Sequence, residues 1–226
     1  MKYHIAVLVS GSGTTVEEFI RSSKTVEVKL IIVSRADAGV FDRIKKLNEE
    51  LGTNIPCVLI NNKTHPAQPG EIVQKGHQTA AEETAILETL LSGKYDLVAN
   101  MGYMKLIGPN IIKKYGWLPM YTSVYQSKMI NTHPGLLPAT KGTYGINTQQ
   151  FALDNGHEYA GQTLHVVGEK YDEGPTIAEH RVKIEPNDTA ESLFTKVQTI
   201  EKQYIAKDID GFIKNRVKYL KDSEGK

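Results

Sequence analysis

Apolar residues in this chain cluster in short runs, separated by longer segments where they recur every three or four positions. The runs at 5–9, 28–33, 57–60 and 97–99 are rich in β-branched residues and predict four strands. The spacing between them predicts helices over 15–23, 39–51 and 71–91. In the second helix Val40, Ile44 and Leu47 share a face; in the third, Ala81, Ala85 and the apolar residues of 87–91 do. Strands alternating with helices are the order that a parallel sheet with crossover connections requires.

Pro109 fits the first turn of a short helix over 110–115. Beyond it the pattern changes. Residues 128–131 are short and apolar, while 162–167 and 176–184 alternate apolar with polar, as antiparallel or edge strands do. A last helix is predicted over 189–213, opened by the capping signal Asp188-Thr189-x-Glu191, with a frayed charged tail after Lys214. Two weakly patterned stretches, 61–76 and 118–127, read as insertions or long loops. The expected fold is α/β, a mostly parallel twisted sheet of about seven strands flanked by helices. Residues 1–109 form a mononucleotide-binding half, and 110–226 extend the same sheet.

Composition narrows the function classes. The 226 residues carry 27 Lys and Arg against 26 Asp and Glu, a net charge of +1. Phosphate-dominated binding needs a basic excess, so a dedicated nucleic-acid or membrane-surface role is not expected. Hydrophobic residues make up 40% and charged residues 23%, the balance of a globular domain rather than a disordered or disulfide-stapled one. The single cysteine, Cys57, rules out an intramolecular disulfide and lies in an apolar run, where a buried, inert thiol is expected. The five apolar residues at 5–9 are too few to span a bilayer and no signal-peptide pattern follows, which points to a cytoplasmic address.

Three motifs carry chemistry. The first, Ser10-Gly11-Ser12-Gly13-Thr14-Thr15, falls where the first strand turns into the first helix. Glycines there let backbone N–H groups approach an anion at a helix N-terminus, and Ser12, Thr14 and Thr15 offer hydroxyls to the same group. It has neither the Gly-Lys-Ser/Thr of a P-loop nor the third glycine of a dinucleotide fingerprint, so it fits one phosphomonoester better than ATP or NAD. The second, Asn131-Thr132-His133-Pro134-Gly135-Leu136-Leu137-Pro138, follows a short strand. In extended chain Asn131 and His133 project to the same side, beyond a strand's carboxyl end where open α/β sheets bind ligands. An amide beside an imidazole suits addition to a carbonyl: one stabilises an oxyanion, the other carries protons. The third, His165 to Pro175, contains Asp172 before a Gly-Pro turn. Brought near His133, its carboxylate would raise the imidazole pKa and hold the ring's orientation. Neither a metal-ligand cluster nor a Gly-x-Ser-x-Gly elbow is found, so direct transfer of a carbonyl-containing group between two bound molecules is expected.

In this order and in a chain of this length, the motifs resemble the glycinamide ribonucleotide formyltransferase family, over nearly the whole chain. The Asn131-Thr132-His133-Pro134 and Asp172-x-Gly174-Pro175 motifs are shared by formyltransferases that use 10-formyltetrahydrofolate; the first loop and Gln198-Thr199-x-Glu201 point to the ribonucleotide branch. The resemblance implies a formyltransferase fold and a catalytic trio of Asn131, His133 and Asp172. It implies a substrate site at Gly11, Ser12, Gly13 and Thr14, with Gln198 nearby and Glu201 on the ribose. It places the folate against Met104, Lys105, Leu106 and Ile107 on one side and Val167 and Asp172 on the other. It implies 10-formyltetrahydrofolate as the co-substrate, small molecules as both partners, and a monomer or homodimer with no metal. Thr15 stands where many members have asparagine, and 61–80, 116–127 and 139–145 look longer than in the family; Lys75 is a candidate for its basic residue near the phosphate.

An amino-sugar nucleotide N-formyltransferase using the same donor is the main alternative, although such enzymes usually begin without this hydroxyl-rich loop. A methionyl-tRNA formyltransferase needs a further domain and a basic surface, and the deformylase relative normally carries an extra amino-terminal domain. A non-catalytic binder on the same fold has no evident use for the complete trio.

Overall fold

The computed structural model describes residues 2–224. Within them lie seven strands: β1 (Tyr3–Val9), β2 (Val26–Val33), β3 (Cys57–Leu59), β4 (Leu97–Met101), β5 (Met129–His133), β6 (Tyr159–Val166) and β7 (Thr176–Lys183). They form one sheet in the order β3-β2-β1-β4-β5-β6-β7. Pairing is parallel from β3 to β5 and antiparallel for β5–β6 and β6–β7. This is the expected fold class, and the change of direction falls where the sequence pattern changes. Because β4 pairs with β5, the sheet is continuous across residue 109.

Six helices flank the sheet: α1 (Thr14–Ser22), α2 (Val40–Leu51), α3 (Ala80–Leu91), α4 (Pro109–Tyr115), α5 (Ile146–Asp154) and α6 (Ala190–Glu224). Successive strand residues feed opposite layers. Ile5, Val7 and Val9 of β1 pack with Phe19 of α1, Ile44 of α2 and Phe212 of α6. Ala6 and Leu8 face the other way, onto Ile86 and Leu90 of α3 and Ile111 of α4. Both faces are covered, which is why the parallel strands are nearly continuous apolar runs.

Five expectations change. The third helix begins at Ala80, not 71, because Thr79 caps it: Glu82 N donates to Thr79 Oγ1 at 3.2 Å and Thr79 N to Glu82 Oε2 at 2.8 Å. Helix α5 was not expected from the pattern. Helix α6 runs past Lys214 to Glu224, held by buried Arg216, whose Nε donates to Ser127 O at 2.9 Å, and by Tyr219 against Tyr125. Its reciprocal cap pairs Thr189 with Ser192 rather than with Glu191. Cys57 is half-buried rather than fully buried; burial still pushes its thiol up to about 11, so it stays protonated at neutral pH. No helix among the described residues is long and apolar enough to cross a membrane.

Candidate active site

A cavity of about 700 Å³ opens where β1, β4 and β5 end, a size that suits small ligands. Its first wall is the loop between β1 and α1. Gly13 holds a left-handed φ of +72°, and a Cβ there would lie 2.5 Å from Val40 Cγ2, so the turn needs glycine for both conformation and space. Arg43 anchors the loop by donating from Nε to Ser12 O at 2.7 Å. Buried Ser10 ties it to the β4 exit: Met104 N donates to Ser10 Oγ at 2.9 Å, and Ser10 N to Gly102 O at 3.0 Å. Helix α1 starts without a side-chain cap on the N–H groups of its first turn, and Thr14 and Thr15 of that turn line the cavity.

The second wall comes from β5 and its antiparallel neighbour. Asn131 lies directly opposite His165 in the register, and their side chains meet, Nδ2 to Nε2 at 2.9 Å. His165 Nδ1 lies 2.9 Å from Val166 O, which can only accept; that nitrogen therefore carries the proton, and Nε2 accepts from Asn131. His133, two residues on, is 3% exposed. Asp172, in the loop between β6 and β7, brings Oδ1 to 3.6 Å from both His133 Nδ1 and His165 Nε2. Its other oxygen accepts from Gly142 N at 3.0 Å. Asp172 is the single non-glycine residue with positive φ among the described residues, at 56°, a conformation that costs about 1–2 kcal/mol and that aspartate tolerates better than most. The trio expected from sequence is thus assembled from 42 residues of chain. The expected rise in the His133 pKa does not result: burial lowers both His133 and His165, and the Asp172 charge only opposes it.

Helix α6 closes the cavity with Phe194, Gln198 and Glu201, spaced four and three apart on one face. Glu201 is 8% exposed and accepts from Thr132 Oγ1 at 2.6 Å and Thr15 Oγ1 at 3.1 Å; burial raises its carboxyl pKa. Thr15, expected to offer its hydroxyl to the anion site, donates to Glu201 instead. Thr132 was missed because it alternates to the opposite face from Asn131 and His133, where α6 lies. Phe194 shares the helical spacing of Gln198 and Glu201, a signal that was available in the sequence.

Met104 lines the cavity, as do Lys75 and Tyr171. The rest of the segment expected to face the folate lies behind this surface. Lys105 pairs with buried Glu82, Leu106 bridges to His77, and Ile107 and Val167 are in the core beneath. Tyr171 OH donates to Gly76 O, so the 61–79 segment packs on the loop that carries Asp172. Among the described residues no group of three or more His, Cys, Asp or Glu could hold a metal ion.

The sequence profile of the formyl transferase family matches residues 3–209, nearly the whole chain. This chain belongs to the formyl transferase family. Among curated relatives of this formyl transferase, the phosphoribosylglycinamide formyltransferase of Bacillus subtilis is 29% identical over 203 residues, covering 88% of this chain and 89% of the relative. The trifunctional purine biosynthetic proteins adenosine-3 of Chironomus tentans and Bos taurus are 28% and 29% identical over 88% of the chain, which spans 13% and 17% of their lengths. Among solved structures, phosphoribosylglycinamide formyltransferase from Bacillus halodurans is 30% identical with a TM-score of 0.72, over 93% of this chain and 94% of that one. Glycinamide ribonucleotide transformylase 1 from Symbiobacterium toebii is 27% identical with a TM-score of 0.74, over 95% and 89%.

Proposed function

We propose that this formyl transferase moves the formyl group of 10-formyltetrahydrofolate to the amine of glycinamide ribonucleotide, a step of purine biosynthesis. The observation that carries the reading is that the glycine and hydroxyl loop of β1–α1 and the Asn131, His133 and Asp172 cluster line the same cavity. The phosphate lies against Gly11, Ser12, Gly13 and Thr14, with Gln198 beside it and Lys75 as the nearby cation. Glu201 receives the ribose hydroxyls on oxygens that already accept from Thr15 and Thr132. The folate lies on the Met104 side, backed by Lys105, Leu106 and Ile107, with Val167 and Asp172 behind it. In these terms residues 1–109 hold the phosphate, and residues 110–226 supply catalysis and much of the folate pocket.

The amine attacks the formyl carbon, and the carbonyl electrons move to oxygen. Asn131 has one amide N–H engaged with His165 and the other free for the oxyanion. Burial keeps His133 neutral at rest, and the oxyanion and Asp172 together favour its protonated form as charge develops. The amine's proton passes to His133 as the oxyanion forms; collapse then breaks the bond to the folate nitrogen, which receives that proton through Asp172 and water. The test is release of tetrahydrofolate with glycinamide ribonucleotide and, separately, with amino-sugar nucleotides as acceptor. Turnover is expected with the ribonucleotide; turnover confined to the sugars would overturn the assignment.

A further inference from the structure

The loop at 139–145, between the Leu-Leu-Pro of the second motif and α5, reaches both members of the His133–Asp172 pair. Thr140 is 2% exposed, and its Oγ1 lies 3.0 Å from His133 Nε2 and 3.1 Å from Leu136 O. Two residues on, Gly142 N donates to Asp172 Oδ2. Leu136 O, which also accepts from Thr140 N at 3.1 Å, can only accept, and the threonine hydroxyl is assigned as a second donor to it. The hydroxyl oxygen is then left to accept, and His133 Nε2 is the nitrogen that carries a hydrogen. Nδ1 is the free nitrogen, on the side of Asp172 and too far from it, at 3.6 Å, for a closed hydrogen bond. Gly135 makes this arrangement possible: a Cβ at that position would lie 2.2 Å from Thr140 Oγ1.

We infer that Thr140 is a positioning residue, seated in the space left by Gly135, that anchors His133 through Nε2–H and so makes Nδ1 the nitrogen that exchanges protons in the cavity. The inference deepens the formyl-transfer reading by naming the working atom of its imidazole. It also explains why the loop at 139–145 is held to the site at two points. Were His133 free to adopt the other tautomer, its proton would already face Asp172 and the nitrogen able to take one up would point at Thr140.

The experiment is ¹⁵N NMR of the histidine rings in the full-length protein, with His133→Asn used only to assign the resonances, alongside steady-state kinetics. At pH 8 the wild type is expected to show His133 as the Nε2–H tautomer. Thr140→Val, close in volume but without the oxygen, is expected to give a mixture of tautomers. It should also move the His133 titration to lower pH, because the charged ring loses a hydrogen-bond acceptor. kcat should fall about tenfold or more, with both KM values within about threefold. Thr140→Ser should restore all of these, and Gly135→Ala should reproduce the valine phenotype. A wild-type Nδ1–H tautomer overturns the inference, as does a Thr140→Val enzyme with unchanged His133 signals or unchanged kcat. A wild type that shows the Nε2–H signature but never formylates the ribonucleotide would support the anchor while removing the acceptor assignment.

Discussion

Replacing Asp172 by asparagine removes one charge from a site where it faces two imidazoles and changes little else. The amide oxygen can still accept from Gly142 N, so the loop keeps its anchor. The charge itself is large in its effect: at 3.6 Å and an effective dielectric of about 20, its attraction for a protonated His133 is roughly 4–5 kcal/mol. The dipole of the new amide and water at the cavity mouth return part of this, so a fall is expected in the His133 pKa. Burial already lowers that pKa, with Asp172 the opposing influence, so the substitution pushes it further in the same direction. The protonated ring becomes rarer at neutral pH, and kcat should drop at least about a hundredfold, the scale of a lost acid–base group. Both KM values should stay within about threefold, since the isosteric amide keeps the shape that Asp172 presents to the folate. Tetrahydrofolate release measured from pH 6 to 9, with histidine NMR on the same samples, separates the two effects. Turnover within about tenfold of wild type while the His133 pKa falls would refute the coupling of that charge to the reaction, and a pKa that rises would refute the electrostatic argument itself.

Two other substitutions probe the opposite walls. Gly13→Ala places a Cβ 2.5 Å from Val40 Cγ2 at a φ of +72°. The left-handed conformation and the overpacking together should cost about 2–5 kcal/mol, lowering the melting temperature by roughly 5–15 °C. Adding Val40→Ala should recover only the packing share, and a loss under about 1 kcal/mol for Gly13→Ala alone would show that the turn is not constrained as described. Glu201→Gln removes a buried carboxylate whose pKa burial raises from its ordinary value of 4.5. Between 4.5 and the raised value the folded state binds more protons than the unfolded one, so this residue costs stability as pH rises through that window. The variant should therefore melt above wild type at pH 8 and match it at pH 4, while the ribonucleotide KM rises about tenfold or more. A melting difference that is the same at both pH values would contradict the linkage.

The strands and the first loop were legible because a parallel sheet buried on both faces writes its strands as apolar runs, and a phosphate-type turn has to sit between one of them and a helix. Helix α5 was not legible for a physical reason. Its buried face is Thr148, Gln149 and Ala152, so polar residues stand where an apolar stripe would be sought; Gln149 earns its place by donating to Pro134 O at 2.6 Å. The tail of α6 misled in the same way, since its buried anchor is an arginine. The start of α3 was obscured by helix-favouring residues ahead of Thr79. In the site, Asn131 and His133 could be paired from a period of two. The partnership of Asn131 with His165 needed the β5–β6 register, and that of His133 with Thr140 needed a loop whose path no periodicity encodes.

How Asp172 reaches the site follows from the glycine two residues after it. The segment between β6 and β7 leaves through Val167, whose N–H donates to Met129 O in the core, and it must return to pair Thr176 with His165. Val166 N closes this excursion by donating to Pro175 O at 3.1 Å. Gly174 lies so close beneath it that a Cβ would fall 1.6 Å from Val166 O, a contact no side chain can make. The excursion is therefore folded flat against the end of β6, and that flatness places Asp172 beside His165 instead of out in solvent. The left-handed backbone at Asp172 is the remaining strain of the same turn, held by Gly142 on one carboxylate oxygen and drawn by two imidazoles on the other. The Asp-x-Gly-Pro sequence is thus a single device: glycine admits the close approach, proline fixes the return into β7, and the aspartate is delivered to the one place where its charge bears on both histidines.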